Sequence, residues 1–144
     1  MYKYFFYFLF YSTSLLNAQT IDVTFNVDMQ NEIVSPNGVH IAASFQNWDP
    51  STTQLTDLDG DNVYTITISL FSDSSYEYKY INGNIWGNDE NVSGGCGAGN
   101  GNRILQTDTI NQNLIPVYFS SCTNSHLGCT DFLANNYDST AISD

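Results

Sequence analysis

The chain has 144 residues, fifteen of them acidic and three basic, for a formal net charge of −12. That balance disfavours nucleic acid and anionic membrane surfaces, both of which select basic faces. The length allows one domain of ordinary size with a single core and short flanking segments.

The N-terminal end reads as a signal peptide over residues 1–19. Met1-Tyr2-Lys3 is a short basic start, Tyr4 to Leu16 is a nearly unbroken apolar run, and Asn17-Ala18-Gln19 is a small-residue exit. Cleavage after Ala18 and cleavage after Gln19 both fit. The run falls short of the roughly 20 apolar residues that cross a bilayer, and no second run follows. A secreted or cell-surface protein with no membrane insertion of the mature chain is expected. Loss of Lys3 would leave Lys79 and Arg103 against all fifteen carboxylates, a charge that keeps a protein soluble outside a cell.

From Thr20 onward the periodicity is that of strands. Ile21, Val23, Phe25, Val27 and Met29 alternate with polar residues, so one face is apolar and the other wet. Val39, Ile41, Ala43 and Phe45 repeat the alternation, Tyr64, Ile66, Ile68 and Leu70 form a third row, and Tyr76, Tyr78 and Tyr80 a fourth, with Glu77 and Lys79 pointing the other way. Turn chemistry separates them at Ser35-Pro36-Asn37-Gly38, Trp48-Asp49-Pro50, Asp59-Gly60-Asp61-Asn62, Ser72-Asp73-Ser74 and Asn82-Gly83-Asn84. Short half-buried strands at this spacing predict an all-β, immunoglobulin-like two-sheet antiparallel sandwich over residues 20–122.

Two tryptophans and the lone strand lysine stand beside these turns. An indole in a turn is costly to expose unless a flat apolar partner covers it, and the C–H face of a sugar ring is such a partner. Trp48 and Trp86 are therefore candidate stacking residues, and Lys79, on the strand face opposite the tyrosine row, a candidate donor to hydroxyls. The competing reading makes Trp48 an edge residue of the core, Lys79 an ordinary strand lysine, and the whole domain a structural or adhesive spacer without sugar binding.

Phe45 to Pro50, the Asp-Gly-Asp turn before Tyr64, the Tyr76-Glu77-Tyr78-Lys79-Tyr80 strand with Asn82-Gly83 and Trp86, and Asn102-Arg103-Ile104-Leu105 occur in one order. In that order, across roughly residues 23–117, the chain resembles starch- and glycogen-binding modules: the starch-binding domains appended to amylases and the glycogen-binding domain of the AMP-activated protein kinase β-subunit. The resemblance implies a non-catalytic module for polysaccharide of the α-glucan type, with no cofactor. It implies that Trp48 and Trp86 stack on successive glucose rings and that Lys79 and an asparagine bind their hydroxyls. The asparagine falls at Asn102 or is displaced by Arg103.

Asp57, Asp59 and Asp61 alternate as in a calcium loop, but the EF-hand pattern needs Gly where Asn62 stands and Glu where Ile68 stands. The stretch reads as a turn, and no metal site is assigned. Cys96 and Cys122 flank the last part of the sandwich, and in an exported protein a bridge between them is the simplest pairing. Cys129 is then left over. It lies in Gly128-Cys129-Thr130-Asp131, continued by Ala134-Asn135-Asn136-Tyr137-Asp138, which resembles a short secreted repeat whose closing half is missing. Residues 123–144 therefore read as a linker and truncated repeat, with further domains of a longer modular protein to follow.

No catalytic residue is assigned. His40 and His126 belong to no ligand or triad spacing. Asp89 and Glu90 are neighbours on an extended chain and point apart, which is wrong for a carboxylate pair. Gly94, Gly95, Gly97, Gly99 and Gly101 lack the Lys-Ser/Thr of a phosphate cradle.

Overall fold

The computed structural model describes residues 19–125. Residues 1–18 of the expected signal peptide, His126, Cys129 and the rest of the expected repeat segment lie outside the described residues. Among the described residues no helix is long and apolar enough to cross a membrane.

Among the described residues eight strands form two packed sheets: β1 (Thr20–Asp28), β2 (Val39–Ala43), β3 (Gln54–Leu55), β4 (Val63–Phe71), β5 (Ser75–Asn82), β6 (Arg103–Gln106), β7 (Gln112–Asn113) and β8 (Val117–Tyr118). One sheet runs β4-β1-β7 with β8 also on β1, and the other runs β3-β2-β5-β6. The chain is the all-β two-sheet sandwich its alternation predicts. β1 and β4 pair antiparallel from Thr20↔Phe71 to Asp28↔Val63. The two-residue strands β7 and β8 instead lie parallel to β1, returning along its free edge and so covering it.

The core is the sum of the inward rows. Val23, Phe25 and Val27 of β1 meet Val39, Ile41 and Ala43 of β2, with Tyr78, Tyr80 and Leu105 from the strands beside it. Phe25 sits edge-on to Tyr78 at 5.1 Å, and Tyr78 edge-on to Tyr80 at 5.5 Å, the geometry aromatic quadrupoles favour. The Tyr80 hydroxyl donates to the Asn26 carbonyl at 3.0 Å, so its buried polar tip is satisfied. Tyr64, Ile66, Ile68 and Tyr76 pack against this core half-buried.

Phe45 departs from the strand expected for it. β2 ends at Ala43 and Ser44–Gln46 turn as 3-10 helix, which still brings the Phe45 ring to 5.8 Å from Phe25. Burial of that ring, rather than continuation of the ladder, sets where the chain turns. The Cys96–Cys122 disulfide expected from the sequence is present.

Candidate functional site

β5 is the platform. Its register places Lys79 opposite Ala42 and Asn82 opposite Val39 on one side, and Tyr78 opposite Arg103 and Glu77 opposite Ile104 on the other. Strand alternation then sends Tyr76, Tyr78 and Tyr80 inward and Glu77 and Lys79 outward. The same parity separates Asn102 from Arg103. Asn102 lies on the outer face, where its amide donates to Glu77 Oε2 at 2.8 Å beside a second donor, the Asn100 amide, at 2.9 Å. Arg103 points into the core with 3% of its side chain exposed. Of the two candidates for the asparagine contact, only Asn102 shares a face with Lys79.

Lys79 is held from a distance in sequence. The chain leaves β5 at Asn82, turns through Gly83, and returns so that Glu90 N–H donates to the Tyr80 carbonyl and Asn82 N–H to the Asn88 carbonyl, both at 3.0 Å. This return sets Asp89 outward and Glu90 inward. Asp89 Oδ2 receives the Lys79 ammonium at 2.8 Å, and its Oδ1 accepts the Gly87 N–H at 3.2 Å. The Lys79 hydrogen bond holds the Asp89 carboxyl below its usual range, and the amides of Asn100 and Asn102 do the same for Glu77. Gly101 closes the far side: a Cβ there would stand 2.5 Å from Asn91 Oδ1 and 3.7 Å from Lys79 Nζ, at a φ of +86°. The left-handed φ and the close approach to Asn91 are what require glycine here.

The two indoles sit on loops at either end of this outward row. Trp86 is at the tip of the Gly83–Asn88 turn with 47% of its surface exposed, next to the exposed Ile85. Trp48 is half-buried and follows the 3-10 turn, where Asn47 and Trp48 both adopt φ of +59°. That left-handed conformation costs a bulky residue roughly 1–2 kcal/mol, and it persists only where neighbours enforce it. Gln46 supplies the enforcement: its amide nitrogen donates to the carbonyls of Ile41 and Asp49, and its oxygen accepts the Asp49 N–H. Trp48 N–H closes the turn on the Ala43 carbonyl at 2.9 Å. Ala43 faces Tyr78 and Val39 faces Asn82, so the two loops are separated along β5 by about 13 Å, four residues at ~3.3 Å each.

Part of this chain is similar to amylopullulanases. Over 65 residues, 44% of the chain, it is 42% identical to an amylopullulanase of Thermoanaerobacterium thermosulfurigenes and 40% identical to one of Thermoanaerobacter thermohydrosulfuricus. Those stretches are 3% and 4% of the relatives' own lengths. No protein-family model matches the chain.

Two features were not singled out from the sequence. The first is the Glu90–Arg103 pair, both members buried, with bidentate contacts of 2.8 and 2.7 Å. Its signal was available, since Arg103 shares the inward parity of Leu105. The second is His40, buried on β2, whose Nδ1 has no partner and whose ring hydrogen-bonds the Gly83 backbone, at the base of the Trp86 turn. Burial lowers its pKa from 6.5, the Gly83 contact opposing that shift. The unfolded chain therefore binds the proton more tightly, and stability is expected to fall as pH drops below 6.5 towards the folded-state value. Urea midpoints of wild type should decline between about pH 7 and pH 5, and those of His40→Leu should decline less over the same interval.

The Asp57, Asp59 and Asp61 carboxylates lie within 4.8 Å of one another. Asp57 accepts the N–H groups of Gly60 and Asn62, and Asp61 that of Val63. These bonds are those of a tight turn, as the sequence suggests.

Proposed function

We propose that the sandwich of residues 20–122 is a non-catalytic carbohydrate-binding module for an α-glucan of the starch or glycogen kind. Trp48 and Trp86 stack on sugar rings, and Lys79 and Asn102 bind hydroxyls. The observation that carries this reading is the outward row of Lys79 and Glu77 on β5 with Asn102, just before β6, bonded to Glu77, flanked by a turn that exposes Trp86. Similarity to amylopullulanases over 44% of the chain supports the choice of glucan. An open row with polar groups between aromatic ends fits a polymer better than an enclosed small ligand. Asp89 and Glu90 diverge to opposite faces and each engages a cation, which argues against their acting as a hydrolytic pair. The leader-like start and the Cys96–Cys122 bridge support export to an oxidising compartment.

Tryptophan fluorescence of the chain, titrated with maltoheptaose or β-cyclodextrin, tests this. A saturable change is expected, weakened roughly tenfold in Trp86→Ala, where Trp48 still reports, and the Trp48→Ala/Trp86→Ala double variant, which has no tryptophan left to fluoresce, is expected to give no heat of binding by titration calorimetry. No change at millimolar sugar, with emission already blue-shifted, would mean buried indoles and a spacer domain.

A further inference from the structure

Two basic side chains occur among the described residues, and both are already paired with carboxylates: Arg103 inside the core with Glu90, and Lys79 on the outer face with Asp89. The second pair bears on what the face accepts. Lys79 and Asp89 retain 13% and 26% of their side-chain exposure, so a ligand can reach both. An ammonium carries three donors, and Asp89 takes one. Asp89 is fixed in turn, its other oxygen accepting the Gly87 N–H and its backbone bridged to Ile81. Glu77 stands on the same face two residues away, held by Asn100 and Asn102.

We infer that Asp89 is a positioning and specificity-determining residue, which orients Lys79 and neutralises it so that the face accepts uncharged sugar hydroxyls and rejects sulfated or carboxylated glycans. This rests on the sugar-binding reading above and goes beyond it. The pair offers a donor and an acceptor side by side, which matches neighbouring hydroxyls that each donate and accept. A sulfate would have to displace Asp89 from Lys79 and approach Glu77 at the same time, and like-charge juxtaposition of that kind is how sites refuse a partner.

The test compares β-cyclodextrin with its sulfated derivative on the whole chain. Wild type is expected to bind the neutral ring and to bind the sulfated ring at least about tenfold more weakly. Asp89→Asn, which frees the Lys79 charge, is expected to bind the neutral ring about three- to tenfold more weakly and the sulfated ring about tenfold more tightly. Asp59→Asn removes the same net charge from a distant turn and should leave the preference unchanged. Lys79→Gln/Asp89→Asn should lose the gain for the sulfated ring. A merely structural Asp89 would weaken both ligands together and leave their ratio alone. An unchanged ratio in Asp89→Asn, an equal shift in Asp59→Asn, or a wild type that binds both rings equally overturns the inference while leaving sugar binding intact. Failure of wild type to bind the neutral ring overturns the underlying reading and this one with it.

Discussion

Glu90→Gln is expected to lower the unfolding free energy by about 3–5 kcal/mol, the cost of removing one partner from a buried ion pair. Glu90 is fully buried and joins three parts of the chain. Its Oε1 accepts from Arg103 Nε at 2.8 Å and from the Tyr80 N–H at 2.9 Å. Its Oε2 accepts from Arg103 Nη2 at 2.7 Å and from the Ser120 N–H at 3.2 Å. Arg103 donates further to the Ser121 carbonyl at 3.0 Å and lies 5.3 Å over the Tyr80 ring. Glutamine would keep the volume but turn an amide N–H₂ towards donors and leave the guanidinium uncompensated. Replacing both partners by apolar residues is a different experiment: Glu90→Leu/Arg103→Met removes both charges, and most of the loss should be recovered. Urea denaturation of Glu90→Leu, Arg103→Met and the double variant beside wild type forms a cycle whose coupling term measures the pair. A Glu90→Gln loss below about 1 kcal/mol, the scale of a surface pair, would contradict this account.

Faces were legible in the sequence, and partners were not. Alternation alone put Val23, Phe25, Ile41, Tyr78 and Tyr80 inside and Lys79 outside, because side-chain direction in a strand repeats every two residues. The same rule sent Asp89 and Glu90 apart. It did not say that Asp89 meets Lys79, because that contact needs the chain to turn through Gly83 and re-pair at Ile81↔Asp89, a return with no local signature. Arg103 shows the opposite failure. Its parity with Leu105 pointed inward, but an isolated arginine reads as a surface residue, since burial is tolerable only with a partner at hand. That partner, Glu90, comes from thirteen residues earlier in the chain, across the glycine-rich loop. Trp48 was placed on a turn correctly, yet its left-handed backbone depends on the Gln46 side chain reaching back to Ile41, which no residue pattern announces. β7 and β8 were missed because two-residue strands carry no periodicity.

Loss of the Cys96–Cys122 bridge is expected to cost about 3–4 kcal/mol, from the chain entropy regained by opening a loop of that size. The residues are separated by 26 positions, and the loop they close contains β6, β7, β8 and both Ser120 and Ser121. Those serines are the same ones that contact Glu90 and Arg103, and Arg103 Nη1 lies 3.6 Å from Cys96 Sγ. The covalent and ionic ties therefore secure one segment, and their losses should not add: Glu90→Gln is expected to cost less in a Cys96→Ser/Cys122→Ser background, where Ser120 and Ser121 are freer to leave. Lys79 and Asp89 are held by the pairing of β5 with β2 and by the Ile81↔Asp89 bridge, outside the closed loop, whereas the partners of Glu77, Asn100 and Asn102, lie within it. Urea melts of the chain with and without reductant measure the first effect. Sugar titration of the reduced, still folded chain measures the second, and an affinity that falls in step with stability would show that the outer face depends on the bridge after all.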